Sequence, residues 1–218
     1  MDGYEPLIGE TVEIDFDDNA KNYYSSLGYT GSTAEIVDSP DGGDGKALKY
    51  TKTDTSTAGV FDTYGFNAPG ITANTFRFTA DILLESVTST QSNVYQLCFG
   101  TFGSKSVYML TVNLGSGGFS LGDNWNTGGG KEQNFGGVYS YGEWHTLTVE
   151  ITVTDDPEEF FVIILIDGDE YTSENYYNKD KVEGAAPATS IPVVEMRALK
   201  NTKGSIYFDN IYMEFYEQ

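Results

Sequence analysis

The chain has 218 residues, a formal net charge of -21 from 33 Asp plus Glu against 12 Lys plus Arg, and 14% aromatic residues set among 25 Gly. So acidic a surface is repelled by nucleic acid phosphates and by anionic lipid headgroups, which excludes both as partners and leaves cations as the natural complement. Aromatic and Gly richness favours strands and turns over helices, and the length suits one large domain with a full core.

Taken in chain order, the chain reads as a single domain spanning 1–218, of which residues 1–8 are linker or expression-derived sequence. Met1-Asp2-Gly3 begins without the basic, apolar and small-residue regions of a signal peptide, and no run approaches the roughly 20 apolar residues of a membrane span. Apolar and polar residues alternate over Phe76 to Leu84, Val94 to Phe102 and Val107 to Leu114, which predicts strands. The lone Cys98 lies within the second of these runs; it cannot form an internal disulfide and reads as a small core residue. Residues 115–137 are Gly-rich but interrupted by Phe119, Leu121, Trp125 and Phe135, predicting a strand and a long loop.

Further along, Leu147, Val149, Ile151 and Val153 interleave with Thr146, Thr148, Glu150 and Thr152, the pattern of a strand with one buried face. Phe160 to Ile166 is apolar throughout, which suits a strand covered on both faces, and Asp167-Gly168 then signals a hairpin turn. Residues 174–182 are the sole helix candidate, and they are too short and polar to matter. Val193 to Leu199 and Ile206 to Phe215 complete the strands. In the last, apolar positions switch parity from Ile206 and Phe208 to Ile211, Met213 and Phe215, which predicts a β-bulge at Asp209-Asn210. Regularly spaced strands of this kind predict an all-β, two-sheet antiparallel sandwich.

Two stretches resemble the concanavalin A-like lectin and laminin-G-like superfamily and the related jelly-roll carbohydrate-binding modules. Gly142-Glu143-Trp144-His145 followed by Phe161 to Ile166 and Asp167-Gly168 is similar to that family's paired strands, and Gly204 to Ile211 is similar to its closing strand. Ile14 to Asp18 and Gly45 to Tyr50 resemble its opening strands. The resemblance implies a jelly-roll, concanavalin-like fold and a structural calcium held between the first-strand region and the final strand, with Asp17 and Asp209 at the matching positions. Asp15 and Asp44 stand beside these as further oxygen ligands of the type calcium needs.

Sugar recognition requires flat aromatic faces flanked by amides and carboxylates. Trp125 within Asp123-Asn124-Trp125-Asn126 fits best; Tyr95, Tyr108, Gln96 and Arg197 extend the candidate surface, with Arg77, Tyr139 and Tyr141 behind them. Trp144, by contrast, is expected to pack into the core. Glu13-Ile14-Asp15-Phe16-Asp17 resembles the catalytic strand of retaining β-glucanases, with Asp17 where that family has Glu and on the first strand where that family carries it mid-chain. The single His145 permits neither a zinc site nor a convincing triad, and Lys105 as the only cation between Phe78 and Gly130 disfavours a uronate substrate. The expectation is a non-catalytic module of a secreted or cell-surface bacterial protein, binding a neutral polysaccharide by aromatic stacking, with calcium, as part of a larger multi-domain protein. A structural or adhesive protein-binding sandwich is the alternative, and a glucanase using Glu13, Asp15 and Asp17 stands third.

Overall fold

The computed structural model describes residues 11–17, 24–26, 32–42, 45–53, 62–67, 75–85, 88–89, 93–101, 107–115, 118–122, 133–136, 140–153, 159–177, 193–198 and 202–216. These residues form β1 (Val12–Ile14), β2 (Tyr24–Ser26), β3 (Ser32–Asp38), β4 (Lys46–Lys52), β5 (Asp62–Asn67), β6 (Thr75–Leu84), β7 (Thr88–Ser89) and β8 (Asn93–Thr101). They continue as β9 (Val107–Gly115), β10 (Gly118–Gly122), β11 (Gln133–Gly136), β12 (Trp144–Val153), β13 (Glu159–Ile166), β14 (Asp169–Tyr177), β15 (Val193–Ala198) and β16 (Thr202–Tyr216). No helix among the described residues is long and apolar enough to cross a membrane.

The strands make two antiparallel sheets. The first runs β14-β13-β12-β6-β16-β4-β3, with β1 and β7 also paired to β16; the second runs β11-β10-β9-β8-β15-β5-β2. One hydrophobic core lies between them, combining Leu48, Phe76, Phe78, Leu147, Val149, Ile164 and Phe208 of the first sheet with Tyr95, Leu97, Phe99, Val112 and Leu114 of the second. Rings bridge the layers edge to face, Tyr50 to Tyr95 at 5.9 Å and Phe78 to Phe99 at 5.7 Å between centroids. Each such pair adds about 1 kcal/mol to what its burial contributes. The two-sheet sandwich expected from the alternation is therefore what the chain builds.

The parity switch in β16 is a bulge. Asp209 pairs with Asp81, but the next paired residue is Tyr212 with Thr79, so Asn210 and Ile211 together oppose Ala80. Asn210 takes φ 46°, and the extra residue lets Phe208 and Ile211 both reach the core. The β13–β14 turn also forms as expected, with positive φ at Asp167 (54°) and Gly168 (85°), as a two-residue hairpin requires.

Residues 174–177, the start of the discounted helix candidate, belong to strand β14. Three expectations need correction. Only one face of β13 is covered: Val162, Ile164 and Ile166 are buried while Phe161, Ile163 and Leu165 are half exposed. Residues 115–137 contain two strand segments, β10 and β11, where one strand and a loop were expected. Trp144 sits on the face of β12 opposite Leu147 and Val149, packed against a small outer cluster of Ala47, Leu83 and Tyr207, because its even position falls outside the strand's buried odd set.

The outer face of the first sheet is zipped by polar pairs, Thr75 to Thr152 and Thr79 to Thr148 at 3.1 Å each. Beside them Arg77 donates from Nε (2.8 Å) and Nη2 (2.6 Å) to Glu150 and from Nη1 (3.2 Å) to Glu214, while the Tyr216 hydroxyl donates to Glu150 at 2.6 Å. Arg77, read from the sequence as a groove residue, is thus an internal clamp across β12, β6 and β16.

His145 has an equally local task. Its Nε2 accepts the Ser140 N–H at 3.1 Å, so its Nδ1 carries the proton donated to Asp167 at 2.7 Å, and Asp167 also accepts the Thr146 N–H at 2.9 Å. The Trp-His and Asp-Gly elements of the sequence are two ends of one staple holding the β13–β14 turn to the start of β12. Burial pushes the Asp167 carboxyl up, but the bonds from His145 and Thr146 outweigh it and hold it below the usual range. Its contribution is present above pH 4 and lost as pH falls through the depressed value. Asp167→Ala is expected to lower the unfolding free energy by about 1–2 kcal/mol at pH 7, with the difference shrinking below pH 4 in urea titrations.

Candidate functional site

Two places gather the chemistry expected from the sequence. The first is a junction on the first sheet. Strand β4 pairs with β16 over Gly204–Phe208 and β1 takes over the same edge at Ile211–Met213, so the bulge lies where one partner leaves and the other begins. Here the Asp17 carboxylate accepts the Lys46 N–H at 2.7 Å, and Asp15 accepts the Asp17 N–H at 3.1 Å. Across the bulge, Asp81 accepts from Thr146 Oγ1 at 2.5 Å and from Asn210 Nδ2 at 2.8 Å. Gly45, at φ 131°, is required by this approach: a Cβ there would lie 3.2 Å from Asp17 Oδ1. Gly45→Ala is accordingly expected to lower stability by about 1–2 kcal/mol, read as a lower melting midpoint.

Asp209 faces this gathering. Burial, then the charges of Asp81, Asp17 and Asp15, push its carboxyl up to about 6 against the opposing bond from the Asn210 N–H. The two ends of the chain's strand order therefore meet, as the resemblance implied. Among the described residues, however, no group of three or more His, Cys, Asp or Glu side chains is placed to hold a metal ion. Asp44, the fourth residue of the expected calcium set, lies outside the described residues.

Strand β1 ends at Ile14 and Phe16 turns through φ 65° to bury its ring, so of the three carboxylates of the glucanase-like stretch only Glu13 lies on the strand, while Asp15 and Asp17 follow it, all three exposed. A groove of about 250 Å³ passes Glu13 and Asp15, closed on its other side by Asn210 and Tyr212.

The second place is the face of the second sheet turned from the core. Leu97 and Phe99 of β8 and Val112 and Leu114 of β9 are buried, so the alternate positions belong to the other face. Arg197 is the cross-strand partner of Gln96, and Gln96 of Asn113. The row continues through Ser120 to Asn134 on one side, and through Thr63 to Ser26 on the other. One residue from each strand of this sheet thus stands in register, and every one can exchange hydrogen bonds. Cys98, expected in the core, occupies one of these outward-face positions, paired with Glu195.

The remaining candidates separate. Tyr95, expected on a binding platform, is wholly buried, because its place two residues before Leu97 on β8 puts it on the same face as Leu97 and Phe99. Its hydroxyl has no hydrogen-bond partner among the described residues, and burial, then the Glu85 charge, raises its pKa. Tyr95→Phe is expected to leave the melting midpoint unchanged or slightly raised. Tyr108 lies in β9 opposite Gly100, and Tyr141 is exposed in the turn before β12. Asp123, Asn124, Trp125, Asn126, Tyr139 and Lys105 lie outside the described residues. Asn113, Ser120, Asn134 and Thr63 were not singled out from the sequence; their polar character was visible, but their alignment required the register.

No protein-family model and no curated protein sequence matches the chain. Solved structures do. A carbohydrate esterase from a Shiga toxin-encoding bacteriophage is 15% identical with a TM-score of 0.62, over 98% of this chain and 100% of that one. An endo-β-1,4-glucuronan lyase from the fungus Trichoderma reesei is 13% identical with a TM-score of 0.61, over 96% of each chain. An alginate lyase from a Chlorella virus is 10% identical with a TM-score of 0.57, over 96% of this chain and 100% of that one. At such identities the likeness is one of fold. This chain shares the two-sheet antiparallel jelly roll, while the narrower kinship with concanavalin-like lectins rests on its sequence motifs alone.

Proposed function

We propose that this chain is a non-catalytic carbohydrate-binding module that holds a neutral polysaccharide on the outward face of its second sheet. The observation that carries the reading is the register row Ser26, Thr63, Arg197, Gln96, Asn113, Ser120 and Asn134. A sugar chain presents hydroxyls that both donate and accept, and Ser, Thr, Asn and Gln meet both needs. Carbohydrate-acting fold relatives, the esterase and the lyases above, support a glycan as the ligand class. Arg197 has Glu195 two positions away on the same face of β15, in a chain of net charge -21, so a uronate would gain little there. Stacking by Trp125 belongs to the same reading, since in sequence residues 123–132 connect β10 and β11, the strands that carry Ser120 and Asn134.

The module is read as non-catalytic because its one histidine is held by Ser140 and Asp167 at the edge of the other sheet. Calcium enters the proposal only with Asp44 completing the set begun by Asp15, Asp17 and Asp209; a melting midpoint raised by calcium and reversed by chelator supports it, and identical midpoints remove it. Secretion to the cell surface and a larger parent protein complete the reading.

Affinity electrophoresis against glucans, xylans, mannans, alginate and glucuronan tests the function. Retardation by a neutral polysaccharide, weakened about tenfold in Gln96→Ala and in Arg197→Ala at unchanged melting midpoints, is the expected result. Retardation by none of them sinks the reading, and depolymerisation of alginate or glucuronan replaces it with a lyase.

A further inference from the structure

Resting on that reading, we infer that the ligand is a linear, unbranched glycan lying across the strands of the second sheet and bound by its interior rather than its end, along the row from Thr63 and Arg197 through Gln96 and Asn113 to Ser120 and Asn134. The row is perpendicular to the strands because cross-strand partners are. At about 4.8 Å per strand interval, a row reaching from β2 to β11 is about 29 Å long, far more than one sugar ring covers. Each strand offers one hydrogen-bonding residue at the same level, so the face supplies a repeating set of contacts, which suits a repeating ligand.

The two halves of the row differ. Beside Asn113, Ser120 and Asn134, the outward-face positions of β9, β10 and β11 are Thr111 with Gly122 on one side and Gly115, Gly118 and Gly136 abreast on the other. At the positions directly flanking the polar row, this half carries no residue larger than Thr; the next large one is Tyr108 of β9, opposite Gly100. A Gly in a strand forfeits about 0.5–1 kcal/mol against Ala and has no side chain to pack. Their placement keeps the backbone open to close approach along the polar row, and a branch or bulky substituent would have to stand where the sugar meets the strand. The other half carries the charged pair Arg197 and Glu195 with Thr63, which anchors one stretch of the chain.

The test uses a series of linear oligosaccharides, disaccharide to octasaccharide, cut from whichever neutral polysaccharide retards the protein, with affinity read by titration calorimetry. Affinity is expected to rise about tenfold or more along the series, to be unchanged when the reducing end is reduced to the alditol, and to fall for a branched polysaccharide of the same backbone. Asn134→Ala and Gly118→Val are expected to weaken the octasaccharide several-fold, by a larger factor than the shortest ligand that binds; Arg197→Ala weakens every length. A disaccharide bound as tightly as the polymer, or loss on reducing the end, overturns the inference while leaving glycan binding intact. Gly118→Val that lowers the melting midpoint without altering the length dependence also overturns it, since the glycines then serve the fold; Gly118→Ala, with its smaller side chain, checks this in a better-tolerated background. If no oligosaccharide or polysaccharide binds at all, the functional reading itself fails.

Discussion

Arg77→Met is expected to lower the unfolding free energy by about 3 kcal/mol at pH 7, the largest loss of any single substitution considered. The side chain of Glu150 is 7% exposed, and Arg77 supplies it with two charge-assisted bonds. Removing the guanidinium takes two charge-assisted bonds from a buried carboxylate that keeps the Tyr216 hydroxyl, the situation in which breaking an ion pair costs more than the pair contributes. Arg77 itself is 41% exposed, so the opposite change, Glu150→Gln, costs less, because the arginine retains Glu214 and water. The asymmetry is the diagnostic. Urea titrations should rank Arg77→Met below Glu150→Gln, and the double variant should recover most of the loss. Arg77→Lys should recover little, since an ammonium lacks the planar fork that reaches Glu150 and Glu214 together and stacks 5.3 Å from the Tyr216 ring. A loss under about 1 kcal/mol for Arg77→Met would mean the clamp is a surface ion pair of ordinary weight.

The second large effect is linked to pH. Asp209 titrates at about 6 in the folded chain, chiefly from burial and then from Asp81, Asp17 and Asp15, against about 3.9 when unfolded. A carboxyl whose folded value is raised binds its proton more tightly when folded. Stability therefore falls as pH rises from about 4 to 6, and the penalty is fully present above 6. The full shift corresponds to about 3 kcal/mol, and because Asp209 is part exposed, screening reduces the expected effect to about 1.5 kcal/mol. Asp209→Asn should therefore be more stable than the parent at pH 7.5 without added metal and equal to it at pH 3.5. Were the variant no more stable at pH 7.5, the carboxylates at the junction would not be in mutual repulsion. In millimolar calcium the ranking separates further possibilities: a parent that overtakes the variant supports the metal proposal, and an unchanged order opposes it.

The fold was legible in the sequence where one face of a strand is buried and the other wet, because side-chain alternation then has a single solution. Strand β12 and the bulge in β16 were read from that rule, and the structure returns both. Strands β10 and β11 were harder, because Gly118, Gly122 and Gly136 erase the alternation that Phe119, Leu121 and Phe135 begin. Trp144 misled for a different reason: a large aromatic beside a core strand invites a core assignment, but its parity places it on the outer face. The metal candidates Asp17 and Asp209 were paired by the resemblance to jelly-roll modules, and only the bulge that carries Asp209 was visible in the chain's own alternation. The polar row was not, since Thr63, Gln96, Asn113, Asn134 and Arg197 are scattered over the sequence and become neighbours only through the order of seven strands. Gln96 and Arg197 were chosen separately as polar strand residues, and the register makes them direct partners.

Strand β16 also bears on how the chain is made. Among the described residues it alone joins β6 to β4 and β1, yet it follows every other strand in order. While residues 202–216 are still inside the ribosome, the nascent larger sheet is split, with the facing edges of β6 and β4 unpaired and their apolar sides bare. Vectorial synthesis thus leaves this sheet open until β16 emerges, and the nascent domain needs a holding chaperone, or fast closure by β16, to escape strand-to-strand association.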